Sequence, residues 1–428
     1  MSLSFRRTLF GIFILLFILI GVGAIYYSQG YRFDFSTLSI HKTGAVYVEA
    51  FPKNVEIYIG NQLYQDKSGI FQGGTLISNI IPKRYRVVIK KDGYYDYDKN
   101  IEVFPSQVVR LLNVRLIPKN IPTLFSAKSI KGLTIADISD SGKVLTLDPK
   151  TNTYYSADLS QNPAVQTNIT QKISPLIKQK VNQLLFYPQT DTSFIASTAK
   201  GIYRVDIGAK SLSLIEGGNP AMIRSERNNL YLLIPVPAIS KKIASTSTLM
   251  DTIDLVLNNK ISEITLPMPS ESIKDFDIGN DSIAILQNNG ALWLYDYSGN
   301  PIIQIAHSAK QMAFSDNRMK LMFQDEDGKT FVYLMEDELA SLNSKKGQTI
   351  QLSIIDPQNI KNILWFPDSY HLILQYPDKI VLAEVTLNEP NNHFLITPYQ
   401  GDIYYDKSSD KLYILSDGNL SAYDIGAL

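Results

Sequence analysis

Ile273–Lys–Asp–Phe–Asp–Ile278, then Ser282–Ile–Ala–Ile–Leu–Gln287, then Asn289–Gly290 and Leu292–Trp–Leu–Tyr–Asp–Tyr297 decide the fold of most of this chain. Each run is short and rich in β-branched and aromatic residues, and Asn–Gly between such runs marks a tight turn. The unit recurs. Gln311–Met–Ala–Phe–Ser315, Lys320–Leu–Met–Phe–Gln324, Asp327–Gly328 and Phe331–Val–Tyr–Leu334 repeat it. A third copy runs from Ile363 to Val385 and a fourth from Asp402 to Asp424. Looser copies begin at Ile135, Gln183 and Met222, the last with an insertion around Pro235–Thr248.

Equivalent points recur about every 40–50 residues, in the range of propeller blades. A sheet of about four strands cannot bury both faces alone but can stack with its neighbours around an axis. Residues 121–428 are therefore read as a C-terminal β-propeller of about seven blades, with six or eight left open. The last copy is one strand short, and residues 121–128 are expected to supply it. The alternative is a sandwich array or a β-solenoid. Sandwich domains need a boundary linker, and the most polar stretch, residues 238–250, is read as a loop within a blade. The phrase Trp365–Phe–Pro–Asp–Ser369 resembles the W-x-P-D-S/G turn of TolB-like and WD40-like propellers.

Working outward, residues 8–31 contain no charged side chain, with Arg6 and Arg7 before them and Arg32 after. A helix needs about 20 apolar residues to cross the hydrocarbon core. Positive charge tends to stay in the cytoplasm, which places the N-terminus inside and the bulk of the chain outside. Tyr26, Tyr27 and Tyr31 sit where an interfacial aromatic belt is expected. The rival is a cleaved signal peptide. Its apolar region is shorter and ends in small residues, whereas this one exits through Ile25–Tyr–Tyr27. The expected organisation is a cytoplasmic tip and transmembrane helix over 1–31, a linker over 32–43, and then two folded parts.

The first part, residues 44–117, alternates strand-like runs with turns. Ala45–Val–Tyr–Val–Glu49, Val55–Glu–Ile–Tyr–Ile59, residues 85–91, Ile101–Glu–Val–Phe104 and residues 108–116 read as strands. Asp92–Gly93 is a turn signal. The order Val55–Glu–Ile–Tyr–Ile–Gly60, Gly73–Gly–Thr75, then Pro82 through Gly93–Tyr94 resembles the PEGA domain of bacterial and archaeal surface proteins. Pro52–Lys–Asn–Val55 stands at the naming tetrapeptide, Leu76 at an expected proline and Lys83 at an expected glycine. The resemblance implies an extracytoplasmic β-sandwich-like module with no catalytic role.

Lys plus Arg and Asp plus Glu are both 41, so the formal net charge is zero and the composition implies no nucleic-acid-sized basic field. Cysteine is absent, which excludes disulfides, thiolate–metal ligation and a lipidated cysteine. No H-E-x-x-H, G-x-S-x-G or P-loop pattern occurs. His41, His307, His371 and His393 do not fall at ligand spacing. Asp325–Glu–Asp–Gly328 fails the EF-hand register and reads as a hairpin turn. Asp158, Asp206, Asp296 and Asp424 close strands at similar positions; they either point into a propeller channel or cap turns, and the turn-cap role is the favoured reading.

No catalytic, cofactor-binding or metal residue is assigned, and no cofactor is expected. The expected function is binding or scaffolding in the cell envelope by a single-pass membrane protein. The propeller would be a platform for a protein or glycan, with no nucleic-acid partner. The alternatives are an envelope enzyme acting on glycans or peptides in the propeller channel, and an assembly factor that touches translocating proteins.

Overall fold

In the computed structural model, residues 3–35, 37–69, 73–121, 123–161, 164–226, 228–235, 247–338, 344–387, 390–398, 401–407 and 409–425 are described. The chain is all-β apart from one long N-terminal helix and a few short helical turns. It divides into two units: Met1–Lys119 with Glu338–Asn343 and Val385–Asn392, and the remainder.

The first unit begins with a helix over Leu3–Ser28. Its 26 residues extend about 39 Å, enough to cross a hydrocarbon core of about 30 Å. The stretch Arg6–Ser28 is apolar and unburied. Residues 32–43, expected as a linker, instead include a hairpin. Tyr31–Asp34 pairs antiparallel with Ser39–Lys42.

Two sheets follow. Thr75–Ile80, Gly44–Phe51 and Val108–Arg115 form one, with Gly44–Phe51 parallel to Val108–Arg115. Gln62–Gln65, Glu56–Ile59, Arg84–Lys90 and Tyr97–Glu102 form the other. Val46 and Val48 from the first sheet share a core with Ile57, Ile59, Val87 and Ile89 from the second. Alternation explains this: Gly44–Phe51 buries every second residue, so one face of each sheet supplies the core. The strand expected at Ile101–Phe104 is displaced to Tyr97–Glu102. Within this unit the fully buried Lys99 is satisfied by its ammonium donating to Pro390 O at 2.9 Å.

The second unit is β-propeller-like. Its described residues form seven four-stranded antiparallel sheets. We number them by first strand: sheet 1 from Thr134–Ile138, sheet 2 from Val181–Phe186, sheet 3 from Met222–Glu226 and sheet 4 from Ile273–Ile278. Sheet 5 starts at Ala309–Phe314, sheet 6 at Asn362–Trp365 and sheet 7 at Asp402–Asp406. Sheet 7 is completed by Thr123–Ala127, which pairs antiparallel with Asn419–Asp424. Pro122, part of the expected closing segment, lies outside the described residues. So do residues 236–246, although the strands on either side, Asn229–Pro235 and Thr248–Asp254, pair with each other within sheet 3.

Neighbouring sheets pack on one another in chain order. Leu145 and Tyr154 of sheet 1 share a cluster with Leu184 and Phe194 of sheet 2. Leu185 and Ile195 join Leu230 and Leu232, Met250 joins Phe276 and Ile285, and Leu286 joins Phe314 and Phe323. Trp365 of sheet 6 donates its indole N–H to Ala313 O of sheet 5 at 2.9 Å, and Gln375 of sheet 6 donates to Gly401 O beside sheet 7 at 2.6 Å. Tyr413 and Leu415 of sheet 7 pack with Ile135 and Val144 of sheet 1. Second strands are accordingly covered on both faces: every residue of Ser193–Thr198 and His371–Gln375 is buried. Fourth strands such as Ser211–Gly217 are mostly exposed.

Phe125 carries the side-chain part of the closure, its ring 6.0 Å from that of Tyr413. Phe125→Ala removes this packing from a half-buried site and is predicted to lower stability by about 1–3 kcal/mol. Urea unfolding of the detergent-solubilised full chain measures it.

Candidate functional site

The first strand of each sheet has one edge without a partner inside its own sheet, so its backbone donors on that edge need acceptors from elsewhere. Side chains from the adjacent sheet supply several. Asp137 of sheet 1 accepts from Phe186 N of sheet 2 at 2.7 Å. Asp277 of sheet 4 accepts from Phe314 N of sheet 5 at 2.8 Å. Asp402 of sheet 7 accepts from Ile135 N of sheet 1 at 2.7 Å. Gln311 of sheet 5 accepts from Ile363 N of sheet 6 at 3.2 Å.

A recurrent bulge adjoins two of these side chains, Asp137 and Gln311. The register of the first strand shifts just before Asp137, Gln183, Asp275 and Gln311. An extra residue at a bulge bends the strand and re-aims the side chains next to it.

The densest charge cluster lies on and after the first strands of sheets 3, 4 and 5. Arg224 donates to Asp275 at 2.8 Å and to Asp277 at 3.1 Å. Arg318, in the turn after Ala309–Phe314, pairs with Glu226 and approaches Asp277 at 3.6 Å. Asp277 is buried and also takes its own-strand Ile278 N–H at 2.9 Å. Burial pushes the Asp275 carboxyl up, against the pull of Arg224. Burial also opposes the charge on Arg224, but Asp277 and Asp275 outweigh it and hold the guanidinium more firmly protonated.

A second group joins sheets 7 and 1. Asp137 accepts from the Tyr404 hydroxyl at 3.1 Å. Burial pushes its carboxyl up to about 6, opposed by the Phe186 and Ile138 N–H groups and by Tyr404. Burial likewise raises Asp402 and, despite Lys407 at 3.0 Å, Asp316. Asp137 and Asp402, both raised, thus accept backbone donors of neighbouring sheets.

Three of the aspartates singled out by sequence accept from turn backbone N–H groups. Asp158 accepts from Ser160 N at 3.0 Å, Asp206 from Ala209 N at 2.8 Å, and Asp296 from Ser298 N at 2.8 Å and Asn300 N at 2.9 Å. Asp424 ends the equivalent strand of sheet 7. Gly299, at φ +81°, completes the Asp296 turn, and a Cβ there would collide with Thr265 O. Asp325 accepts from Lys329 N at 2.8 Å across a hairpin turn, as expected. The histidines are dispersed. His371, buried at the start of the strand after the Trp365–Ser369 turn, has its Nδ1 2.8 Å from Asp368 of that turn. His307 meets Gln304 at 3.0 Å and His41 meets Ser39 at 2.6 Å. Among the described residues no three His, Cys, Asp or Glu groups are placed to hold a metal ion.

Sequence reading missed Asp137, Asp277 and Asp402, which carry the bonds between sheets. Their signal was an aspartate inside, or opening, an otherwise apolar first strand, as in Phe276–Asp–Ile278.

No family model matches this sequence, and no curated protein matches it. Similar solved structures include a chain of the mitotic checkpoint complex, at 12% identity and TM-score 0.46, covering 71% of this chain and 92% of that one. Another is PorZ, an essential bacterial surface component of the type-IX secretion system of Porphyromonas gingivalis. It has 14% identity and TM-score 0.44, and the match covers 69% of this chain and 37% of that one. The propeller-like description rests on the strand topology itself.

Two outcomes are expected. Asp277→Ala strips a buried carboxylate from two arginines and two backbone donors, so it should cost about 3–5 kcal/mol, more than Asp275→Ala, by urea unfolding. Asp137 is held in the folded state with a pKa above its unfolded value, so its ionisation costs stability above about pH 6 and that cost disappears as pH falls towards 4. The residue keeps some solvent contact, so wild type should gain about 1–2 kcal/mol relative to Asp137→Asn between pH 7 and pH 4. Unfolding curves for both proteins across that range measure the difference.

Proposed function

We propose that this chain is a single-pass membrane protein of the cell envelope. Its folded units lie outside the cytoplasm, and its propeller serves as a binding or scaffolding platform for a protein or glycan. The observation that carries the reading is the helix Arg6–Ser28, apolar and unburied along its length and followed by two folded units. Burying such a surface in lipid removes an exposed apolar area that water disfavours. Arg6 and Arg7 precede the span and favour a cytoplasmic N-terminus.

The second unit is proposed to be a seven-bladed propeller of the TolB-like or WD40-like kind, closed by Thr123–Ala127. The sandwich of the first unit is proposed to be PEGA-like, serving as a spacer or wall-binding unit near the membrane. Binding is favoured over catalysis by the engagement of the perturbed carboxylates. Asp137 and Asp402 accept backbone N–H groups of adjacent sheets, and Asp275 accepts from Arg224. Those positions support the ring. A propeller also presents its turns as a rigid loop face suited to recognition.

Because the chain has no cysteine, single-cysteine variants report orientation cleanly. A membrane-impermeant maleimide applied to intact cells should label Lys150→Cys and leave Ser2→Cys unlabelled until the cells are opened. The reverse pattern contradicts the orientation. For function, full-length protein in detergent micelles should co-sediment saturably with protein-stripped cell wall, or yield a discrete cross-linked protein partner in cells. Turnover of glycan or peptide substrates, abolished by Asp275→Asn without loss of stability, would overturn the binding reading.

A further inference from the structure

The hairpin after the long helix is built inside out for a water-soluble surface. In register, Arg32 faces His41, Phe33 faces Ile40 and Asp34 faces Ser39. Paired residues share a face, and successive residues alternate. One face therefore carries Arg32, Asp34, Ser39 and His41, and the other carries Phe33 and Ile40, extended at the turn by Phe35 and Leu38. The polar face is the covered one. Asp34 is buried, and Arg32, Ser39 and His41 are all less exposed than the apolar residues between them. Arg32 donates to Asn79 Oδ1 at 2.8 Å, on the sandwich of the same unit. The apolar face is open: Phe35 is 84% exposed, Leu38 75%, Ile40 63% and Phe33 44%.

This face also has little freedom to leave the end of the helix. Only Gln29 and Gly30 separate Ser28 from the first hairpin strand. Arg32 lies over the Tyr27 ring at 3.6 Å and donates to Tyr27 O at 2.8 Å. The rings of Tyr26 and Tyr31 meet edge to face at 5.3 Å. Thr43, just past the hairpin, returns its N–H to Gly30 O at 2.9 Å. Helix end and hairpin are thus stapled together, and the apolar face stays within a few residues' reach of the bilayer surface that the helix exits.

We infer that the hairpin Tyr31–Lys42 is a second membrane-seated element, with Phe33, Phe35, Leu38 and Ile40 inserted into the outer leaflet beside the helix. The occupant of the apolar face is the lipid acyl and headgroup boundary. Aromatic rings suit this zone. Lys42, exposed on the same face at the base of the hairpin, extends its ammonium to the headgroups while its stem lies along apolar surface. Two anchors in tandem would restrict tilting of the sandwich on the membrane. The inference rests on the helix being a membrane span.

The test is site-directed spin labelling of the full-length protein in phosphatidylcholine–phosphatidylglycerol vesicles, using the absence of native cysteine. Nitroxides at Phe35→Cys and Leu38→Cys should collide preferentially with oxygen over a water-soluble nickel chelate. Asp92→Cys, in an exposed turn of the sandwich, should show the opposite preference, and Phe17→Cys in the helix should prefer oxygen. The ratio of oxygen to nickel accessibility at positions 35 and 38 should exceed that at 92 by at least several-fold. If positions 35 and 38 match position 92 while position 17 prefers oxygen, the anchor stands and the hairpin inference is overturned. If position 17 also behaves as water-exposed, the membrane span itself fails and the inference falls with it. Phe35→Asp/Leu38→Asp in the Asp92→Cys background guards against label artefacts: it should raise the mobility of the label on the sandwich, and no change would count against a second anchor.

Discussion

The antiparallel pairing of Thr123–Ala127 with Asn419–Asp424 is the constraint on which the larger unit depends. Each of its sheets offers two apolar faces and can bury them only against neighbours. Packing in chain order covers the faces between sheets 1 and 7 but leaves the first and last surfaces unsatisfied unless the two meet. They do meet, through Tyr413 and Leu415 against Ile135 and Val144. A strand from the beginning of the unit, built into the last sheet, ties that seam to the backbone. The Asp402 carboxylate bonded to Ile135 N at 2.7 Å reinforces the same seam from its other edge.

Much of this was legible in the residues. Ile273–Ile278, Ser282–Gln287, Asp402–Asp406 and Lys411–Ser416 fall where the repeated apolar runs place them, and the closing strand falls within the expected 121–128. The second strands among them, Ser282–Gln287 and Lys411–Ser416, are buried on both faces, so they read as nearly continuous apolar segments. The fourth strands were not legible. Ser211–Gly217, Pro301–Ala306 and Thr349–Gln351 lie at the outer edge of their sheets, largely exposed, and each is short and flanked by polar turns, so its period does not stand out. Gln62–Gln65 and Thr75–Ile80 escaped for the same reason, being short and half exposed. The hairpin at residues 31–42 was passed over because its alternation sits between an apolar helix and a sandwich, where a linker is the usual occupant.

The site residues divide along a similar line. Aspartates at strand ends announce themselves as turn caps, since Asx turns need only local sequence. Asp137, Asp277 and Asp402 act across sheets that are distant in the chain, and only the assembled topology reveals their donors. Their chemistry has a functional consequence. Carboxylates held by backbone N–H groups and arginines fix the positions of the first strands, and the platform proposed here would draw its rigidity from them. The membrane-length helix and the inverted hairpin belong to the first unit, whose sandwich core of Val46, Ile57, Val87 and Ile89 would give both elements a firm base if they sit in the membrane as proposed.

The most direct measurement of the central claim is a covalent test of ring closure. Ser126 and Ser421 are register partners across the closing pair, and no native cysteine competes. Ser126→Cys/Ser421→Cys in the full-length protein, treated with a short bifunctional thiol cross-linker and digested, should yield the 126–421 peptide pair from monomeric protein. It should also resist thermal unfolding better than its uncross-linked form. Linkage found only between separate molecules, or none under conditions that label each single cysteine, would contradict closure by the N-terminal strand and with it the closed ring of sheets.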